Sequence, residues 1–333
     1  DNFNTLLYTA NNASTRDFTG IGFAPDFLWF KDRTTAFSHS LYDVVRGVNK
    51  GLQTNTTNAE NSYTLMTAFG DDGFSTSTNG TTGNILNYST DAYVAWAWLA
   101  GTAFSNDASA TGVGTIDSSG EVNATAGFSI VKYTGNATAG ATVAHGLSSA
   151  PQFIITKNRD ASTAWHVYYG DATDYLVLNT TAATADSAAS GWNDVAPTSS
   201  VFSLGASNPS NANQDIAYCF HSVEGYSKVG SYLGNGNADG TFAYTGFRPA
   251  FILLKSLTGT NNWSMYDNKR DTDNPVRDYL IPNNSAASAA TDTVDFLSNG
   301  FKVRNSGAYI NTSGTTYIYL AFADQPFKFS NAR

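Results

Sequence analysis

One pattern of proline, phenylalanine and lysine occurs three times in the 333-residue chain. It lies in the segments FTGIGFAPDFLWFK, HGLSSAPQFIITK and YTGFRPAFILLK. In each segment a phenylalanine follows the proline by two residues and a lysine follows it by six, and the prolines are Pro25, Pro151 and Pro249. Recurrence of this kind indicates that one structural unit is repeated. We therefore expect three similar units rather than one large core.

Other residues keep constant distances from these prolines. A tyrosine follows by seventeen residues in all three segments, and the position fourteen residues after the proline holds His39, Trp165 and Trp263. We also assign Phe18, His145 and Tyr244 to one shared position before the proline. Each segment closes on an aromatic run: AYVAWAW, IAYCFHS and YIYLAFA. These spacings predict three homologous units of roughly 90–100 residues.

The local pattern predicts strands almost everywhere. Short runs of valine, isoleucine, tyrosine, phenylalanine and threonine alternate with clusters of glycine, asparagine, aspartate and serine, which is typical of antiparallel β-sandwiches. The run AFILLK is apolar on both faces, so we expect it to be buried on both. We expect Lys255, at its end, to carry its charged head into water. The predicted fold class is all-β: three tandem, homologous, antiparallel β-sandwich repeats, jelly-roll-like in type.

The unit boundaries follow from the same comparison. We predict a first sandwich repeat over residues 1–101, a second over 127–225 and a third over 226–333. The intervening segment 102–126 is rich in small polar residues, so we interpret it as a linker or an extended loop. The second and third repeats follow each other without a linker.

The composition excludes several classes of partner. Charged residues make up only 14% of the chain, against roughly 25% in typical soluble domains. The net charge of −9 disfavours nucleic-acid binding, because it would repel a polyanion. No run of 18 apolar residues predicts a membrane span. The single cysteine, Cys219, forms no internal disulfide, which is ordinary for a bacterial or viral extracellular protein.

Candidate ligand-binding residues are few, and none forms a catalytic or metal-binding motif. Exposed aromatic side chains suit sugar recognition, so we select Trp192, Trp165 and Trp263; the alternative for the last two is a core position, because they share one repeat position. Asp271 and Asp273 have a spacing found in calcium loops, but the remaining ligands of such a loop are missing. We expect no cofactor and no metal.

Several long segments resemble a known family. The segments are YDVVRGVNKGLQTNTTNAE, TAFGDDGFST, DAYVAWAW, KYTGNATAGATVAHGLSSAPQFIITKNRD, AYCFHSVEGYSKVGSYLGNGNADGTFAYTGFRPAFILLK, VDFLSNGFKVRNSG and TYIYLAFADQPF. They resemble a domain of unknown function found in tail-fibre-like and other virion proteins of marine and freshwater bacteriophages. The resemblance covers nearly the whole chain and implies a phage structural protein. It implies no catalytic residues.

The resemblance sets the functional expectation. We expect a non-enzymatic virion structural protein, located on the phage particle, that acts as a tail-fibre or receptor-binding component for a host-surface glycan. One alternative is a capsid decoration or cement protein, or a filament subunit, with a purely architectural role. Another is a tailspike-type hydrolase that degrades polysaccharide. The expected partners are other virion proteins; the chain either forms a homotrimer or arranges its three copies around an internal pseudo-threefold axis.

Overall fold

The computed structural model describes residues 2–77, 86–186, 190–206 and 212–324. In these ranges the chain forms antiparallel strands and one four-residue helix, α1 (Ala108–Thr111). The predicted all-β class is therefore confirmed. Within the described ranges, no helix is both long enough and apolar enough to cross a membrane.

The strands form three groups along the chain, and each group builds one unit. The first unit contains β1 (Phe3–Thr9), β2 (Thr15–Thr19), β3 (Phe27–Asp32), β4 (Ser40–Asp43), β5 (Met66–Gly70), β6 (Gly73–Ser77) and β7 (Ala92–Trp98). The second unit contains β8 (Thr102–Asn106), α1, β9 (Ser118–Asn123), β10 (Phe128–Thr134), β11 (Ala141–Ala144), β12 (Phe153–Asn158), β13 (His166–Tyr168), β14 (Asp174–Val177), β15 (Ala185–Asp186), β16 (Val201–Leu204) and β17 (Gln214–Phe220). The third unit contains β18 (Ser227–Leu233), β19 (Phe242–Tyr244), β20 (Pro249–Ser256), β21 (Ser264–Asp267), β22 (Val276–Tyr279), β23 (Ala289–Leu297), β24 (Gly300–Val303) and β25 (Thr316–Ala323).

Each unit has an inner sheet whose four main strands follow the same order. The orders are β1-β7-β3-β4, β10-β17-β12-β13 and β18-β25-β20-β21. Equivalent residues pair in register within these sheets: Phe27 with Trp98, Phe153 with Phe220, and Phe251 with Phe322. Three copies of one unit should share one strand order, and the three inner sheets do. That the units are homologous stays a prediction.

A smaller outer sheet covers one face of each inner sheet. The outer sheets are β2-β6-β5, β11-β16 and β19-β24-β23-β22. Each pair of sheets encloses a core, as where the rings of Phe30 and Phe74 lie 5.0 Å apart in the first unit. The strand that follows each repeat proline is buried along its whole length, as its two apolar faces predict.

The opposite faces of the three inner sheets meet in one shared core. Side chains alternate along a strand, so Phe27 and Trp29 point into the shared core while Leu28 and Phe30 point into their own sandwich. Each unit contacts both others: ring centroids are 4.6 Å apart for Phe27 and Tyr218, 5.9 Å for Trp98 and Phe251, and 6.0 Å for Phe220 and Phe322. The three units thus form a ring around this shared core inside one chain. Assembly into a homotrimer stays a prediction.

The expectation that the repeated lysine reaches water is wrong. Lys255 is fully buried, and its Nζ donates to the carbonyls of Thr181 and Asn261. Lys157 is equally buried and donates to the Thr57 carbonyl of the first unit. Burial lowers the pKa of both lysines to about 8. A loop of the neighbouring unit covers the end of each strand, so the ammonium binds carbonyls instead of water.

Residues 102–126, interpreted as a linker or an extended loop, contain two strands and α1. β9 pairs with β10 and β8 pairs with β9, and together with β14 and β15 at the other edge they extend the second inner sheet from four strands to eight. Asp107 caps α1 by accepting a hydrogen bond from the Ala110 amide at 3.0 Å. These strands lie at a sheet edge and are only partly covered, so the sequence carries no apolar alternation that would indicate them.

Candidate functional site

Two of the predicted ligand-binding tryptophans connect neighbouring units. Trp165 and Trp263 are completely buried. The Trp165 indole donates to the Gln53 carbonyl of the first unit at 3.0 Å. The Trp263 indole donates to the Val177 carbonyl of the second unit at 3.1 Å. Neither ring faces solvent, so both belong to the core alternative and not to a glycan-binding surface.

His39 completes the same cycle of contacts. Its Nε2 lies 3.1 Å from the Ile281 carbonyl of the third unit, and its Nδ1 accepts a hydrogen bond from the Trp29 indole at 2.9 Å. Because an indole N–H only donates, Nδ1 carries no proton and Nε2–H donates to the carbonyl. The first unit therefore reaches the third, the third reaches the second, and the second reaches the first.

The tautomer of His39 leads to a prediction about acid stability. Burial, and then the nearby Lys31 ammonium, lower the pKa of His39 well below its ordinary value. The unfolded chain binds a proton at this position below about pH 6.5, whereas the folded chain does not. The free energy of unfolding should therefore fall on acidification from pH 6.5, with a contribution of up to about 1.4 kcal/mol per pH unit from this residue. His39→Gln keeps one donor and one acceptor and should reduce that slope in urea titrations between pH 6.5 and 4.5.

Two features make the His39→Gln comparison specific. His145 and His166, whose burial lowers the pKa of each to about 4, contribute slopes of the same sign that both proteins share. Above pH 7 the two proteins should show the same dependence on pH, because His39 is neutral in both states there. An unchanged slope in acid would contradict the assignment of a neutral, buried imidazole.

Trp192 was selected as a surface residue, but it is 1% exposed. Its ring packs edge-on against Tyr168, with centroids 5.6 Å apart, in the core of the second sandwich. Among the described residues of this unit, the outer sheet consists of β11 and β16, and the loop around Trp192 covers a further part of the core.

Asp271 and Asp273 lie in the loop between β21 and β22. One carboxylate oxygen of Asp271 accepts a hydrogen bond from the Arg277 amide at 2.7 Å, which closes the loop, and Asp273 is exposed. Among the described residues, no three histidine, cysteine, aspartate or glutamate side chains gather closely enough to hold a metal ion. The structure gives these two aspartates a place in a turn and does not bring them together with further ligands.

Exposed aromatic side chains occur instead on the outer sheet of the third unit. Phe242 is 41% exposed and Tyr244 is 65% exposed. They lie two residues apart on β19 and therefore point to the same, outward face. Tyr244 pairs with Gly300 and Phe242 with Lys302 on the neighbouring strand. We call Phe242, Tyr244, Gly300 and Lys302 the aromatic platform.

The glycine keeps this platform flat. A Cβ atom added to Gly300 would lie 2.8 Å from Cζ of Phe242, so the phenylalanine ring extends over the glycine backbone. Any other residue at this position would push the ring away. The result is an open apolar surface on a rigid sheet, which is the form of a contact surface rather than of a cavity.

Charged groups form a fixed rim beside the aromatic platform. Lys302 Nζ binds Asp239 at 2.6 Å, and Arg304 Nε binds Asp295 at 2.6 Å. Arg304 also lies 3.6 Å from Asp239, so one guanidinium joins the two carboxylates. The hydrogen bond and the charge of Lys302 lower the pKa of Asp239. Donors and acceptors are thus held next to the exposed rings.

The other two units have no aromatic residues at these positions. In the first unit, Phe18 pairs with Phe74, and its outward neighbours are Asp17 and Thr19. In the second unit, Val143 pairs with Phe202, and in the third Ala243 pairs with Phe301. The residues beside these pairs are Thr142 and the buried Ala144 in the second unit, and the exposed Phe242 and Tyr244 in the third.

Sequence reasoning missed the platform because it placed Tyr244 at the position of Phe18. The strand pairing makes Ala243 the equivalent of Phe18, so Tyr244 corresponds to Thr19. A shift of one residue in a strand moves a side chain to the opposite face. The alternation in TFAYTG, with a small alanine between two aromatic residues, was the available signal.

Comparison with known proteins gives one family and no characterised relative. A search of curated proteins found no match. A family described as a domain of unknown function, DUF7483, matches residues 1–326. That match spans all three units, including the segment that carries the aromatic platform. The chain therefore belongs to the DUF7483 family.

Proposed function

We propose that this protein is a non-enzymatic structural protein of a bacteriophage virion, and that it serves as a tail-fibre or receptor-binding component for a host-surface glycan. The single observation that carries the glycan-binding role is the exposed pair Phe242 and Tyr244 on one unit of three. The resemblance of the quoted segments to phage virion proteins supports the location on the particle. Its proposed partners are other virion proteins and the host glycan.

The chemistry of the aromatic platform suits a sugar. A pyranose ring has a face of C–H groups and a rim of hydroxyls, so it binds where a flat apolar surface lies beside fixed polar groups. Phe242 and Tyr244 supply the apolar surface, and Tyr244 adds a hydroxyl. Lys302 and Asp239 supply a donor and an acceptor at the rim, which the ion pair between them holds in place.

The rim also supports binding without catalysis. Glycoside hydrolysis requires one carboxyl group that stays protonated to act as an acid. Asp239 binds Lys302 and Arg304, and these two cations lower the pKa of its carboxylate, which favours the ionised form. This carboxylate therefore suits the recognition of hydroxyl groups rather than the cleavage of a glycosidic bond.

The variant Phe242→Thr with Tyr244→Ala tests the proposal. It installs threonine and alanine, the residues that the second unit has at the equivalent positions 142 and 144, so the third unit should fold normally. We expect the purified variant to bind isolated host surface polysaccharide at least thirtyfold more weakly, since truncating central aromatic contacts costs roughly 2 kcal/mol or more. Surface plasmon resonance on immobilised polysaccharide, together with a melting curve for each protein, measures both quantities.

A matched control removes an exposed aromatic residue from another place. Tyr63 is 37% exposed on the first unit, and Tyr63→Ala should leave polysaccharide binding unchanged. Equal binding by the wild type and the platform variant would contradict the proposal. If the platform variant instead failed to join the virion while still binding polysaccharide, the platform would serve an architectural contact, as in a decoration protein.

A further inference from the structure

A groove lies between the second and third units, and its lining shares no residue with the aromatic platform. Its volume is about 430 Å³, which falls in the roughly 300–1,000 Å³ range of small-molecule sites. Apolar and aromatic walls come from Pro151, Tyr169 and Ile318. Polar groups come from Gln152, Asp171, Ser231 and Thr316. We call this cleft the 2/3 groove.

The same strand order builds all three units, so the 2/3 groove can be compared with the groove between the first and second units. An equivalent groove of about 500 Å³ lies between the first and second units, and Arg46, Lys132 and Arg159 line it together with Asp107 and Asp117. The 2/3 groove has Leu257 where this groove has Arg159, since both residues follow their repeat proline by eight positions. It has Ser231 where the other groove has Lys132, because each directly precedes the tyrosine that pairs with the closing strand.

A third position changes in the same direction. Asp43 and Arg46 form a buried ion pair in the first unit, and Tyr218 of the second unit donates to Asp43 at 2.7 Å. The second unit has Tyr169 and Ala172 at the positions of this pair, and the third unit has Leu320 at the position of Tyr218. The carboxylate, the guanidinium and the hydroxyl of this network are thus all replaced at the equivalent positions beside the 2/3 groove. No buried charge is therefore left there without a partner.

These replacements define the chemistry of the 2/3 groove. Among the residues that the structure describes, its lining contains no cation, and the one carboxylate there, Asp171, is exposed, so an anionic ligand is disfavoured. Gln152 uses its Oε1 to accept the Ser222 amide at 2.8 Å, which leaves the amide nitrogen as the group it offers a ligand. Hydroxyl, amide and carboxylate groups around a tyrosine and a proline suit a neutral molecule with many hydroxyls and one apolar face.

We infer that the 2/3 groove binds a neutral sugar unit, as a second site separate from the aromatic platform. The inference rests on the replaced charges and the lining of the groove, and it does not depend on the proposed role of the platform. The equivalent groove between the first and second units, with its arginines and lysine, should not bind the same sugar. The ring therefore presents chemically different grooves at equivalent positions.

The test uses the full chain with Phe242→Thr and Tyr244→Ala, so that the platform does not contribute. The probes are lactose, maltose and cellobiose as neutral disaccharides, with glucuronic acid as the anionic comparison. Saturation-transfer NMR and calorimetric titration should show saturable binding of at least one disaccharide and none of glucuronic acid. No saturable binding of any disaccharide, or equal binding of glucuronic acid, would overturn the inference.

Two further substitutions test whether the disaccharide binds in the 2/3 groove. Leu257→Arg installs the residue found at Arg33 and Arg159, and its longer, charged side chain should occupy part of the groove and weaken disaccharide binding at least tenfold. Gln152→Ala changes an exposed rim residue and should weaken binding severalfold without affecting the melting temperature. If both variants bound the disaccharide as the parent does, the sugar would lie elsewhere and the inference would fail. Because every protein in this series lacks the platform aromatics, its outcome is independent of the platform experiment.

Discussion

Arg46→Met is expected to lower the free energy of unfolding by roughly 3–5 kcal/mol, the cost of removing one partner from a buried ion pair. The guanidinium is completely buried and binds Asp43 at 2.5 Å. It also donates to the carbonyls of Lys50 at 2.6 Å and Leu41 at 3.1 Å. Methionine fills part of the volume but leaves the Asp43 carboxylate charged and buried.

The loss should extend beyond the first unit. Arg46 also binds Glu60 at 3.3 Å, and Glu60 binds Arg159 of the second unit at 2.9 Å. Urea unfolding monitored by tryptophan fluorescence measures the change. Adding Asp43→Asn to Arg46→Met removes the stranded charge, so the double variant should be more stable than the single one. If the two variants were equally stable, the buried charge would not be the cause.

A second ion pair between units serves as the comparison. Arg33 and Asp278 lie 3.3 Å apart, and their side chains are 22% and 26% exposed. Because water still reaches this pair, Arg33→Met should cost no more than about 1 kcal/mol. A loss as large as that of Arg46→Met would show that bridging the units, rather than burial of the charge, sets the cost.

Phe251→Ala is expected to cost about 3–5 kcal/mol, the range for deleting a large aromatic side chain from a core. The ring is 1% exposed and lies within 6 Å, between centroids, of Phe3, Trp96 and Trp98 in the first unit. Three sheets meet around it, and none can move inward without disturbing the other two. The cavity should therefore persist, and the contacts between the third and first units should weaken together.

Two comparisons separate cavity formation from the loss of an aromatic ring. Phe251→Leu keeps most of the volume and should cost clearly less than the alanine variant in the same urea titrations. Phe242→Ala removes an exposed ring of the same kind and should stay within about 0.5 kcal/mol of the wild type. A loss below 1 kcal/mol for Phe251→Ala would mean that the shared core collapses into the space, contrary to the rigid packing described here.

Sequence reasoning predicted the strands well because the alternation of side chains is local information. The run from Phe251 to Lys255 has two apolar faces, and both are buried as expected. The prediction for the lysine itself was wrong, because one of the two carbonyls that accept its hydrogen bonds, that of Thr181, lies 74 residues away in another unit. No pattern within one strand could indicate which loop of another unit would cover its end.

The residues of the candidate site also divide into those that a pattern in the sequence predicted correctly and those whose position depends on contacts with distant residues. The constant distance from the proline correctly related Trp165 to Trp263, and their core alternative is what the structure has. Trp192 had no equivalent, and its burial follows from packing against Tyr168, a contact over 24 residues that no local pattern indicates. The aromatic platform depended on a register shift of one residue at Tyr244, which only the strand pairing reveals.

The cyclic arrangement of the units also governs how the chain is made. Trp96 and Trp98 leave the ribosome before the rings that cover them, since Phe251 is translated more than a hundred residues later, and Phe322 later still. Translation proceeds at about 5–20 residues per second, so the interval between the synthesis of Trp98 and that of Phe322 is on the order of 10 to 45 s. During that time the nascent chain presents a wide apolar surface to the cytosol, where chaperones bind and other nascent chains collide. Yield should therefore depend on translation speed and on chaperone supply, even though the finished ring hides that surface completely.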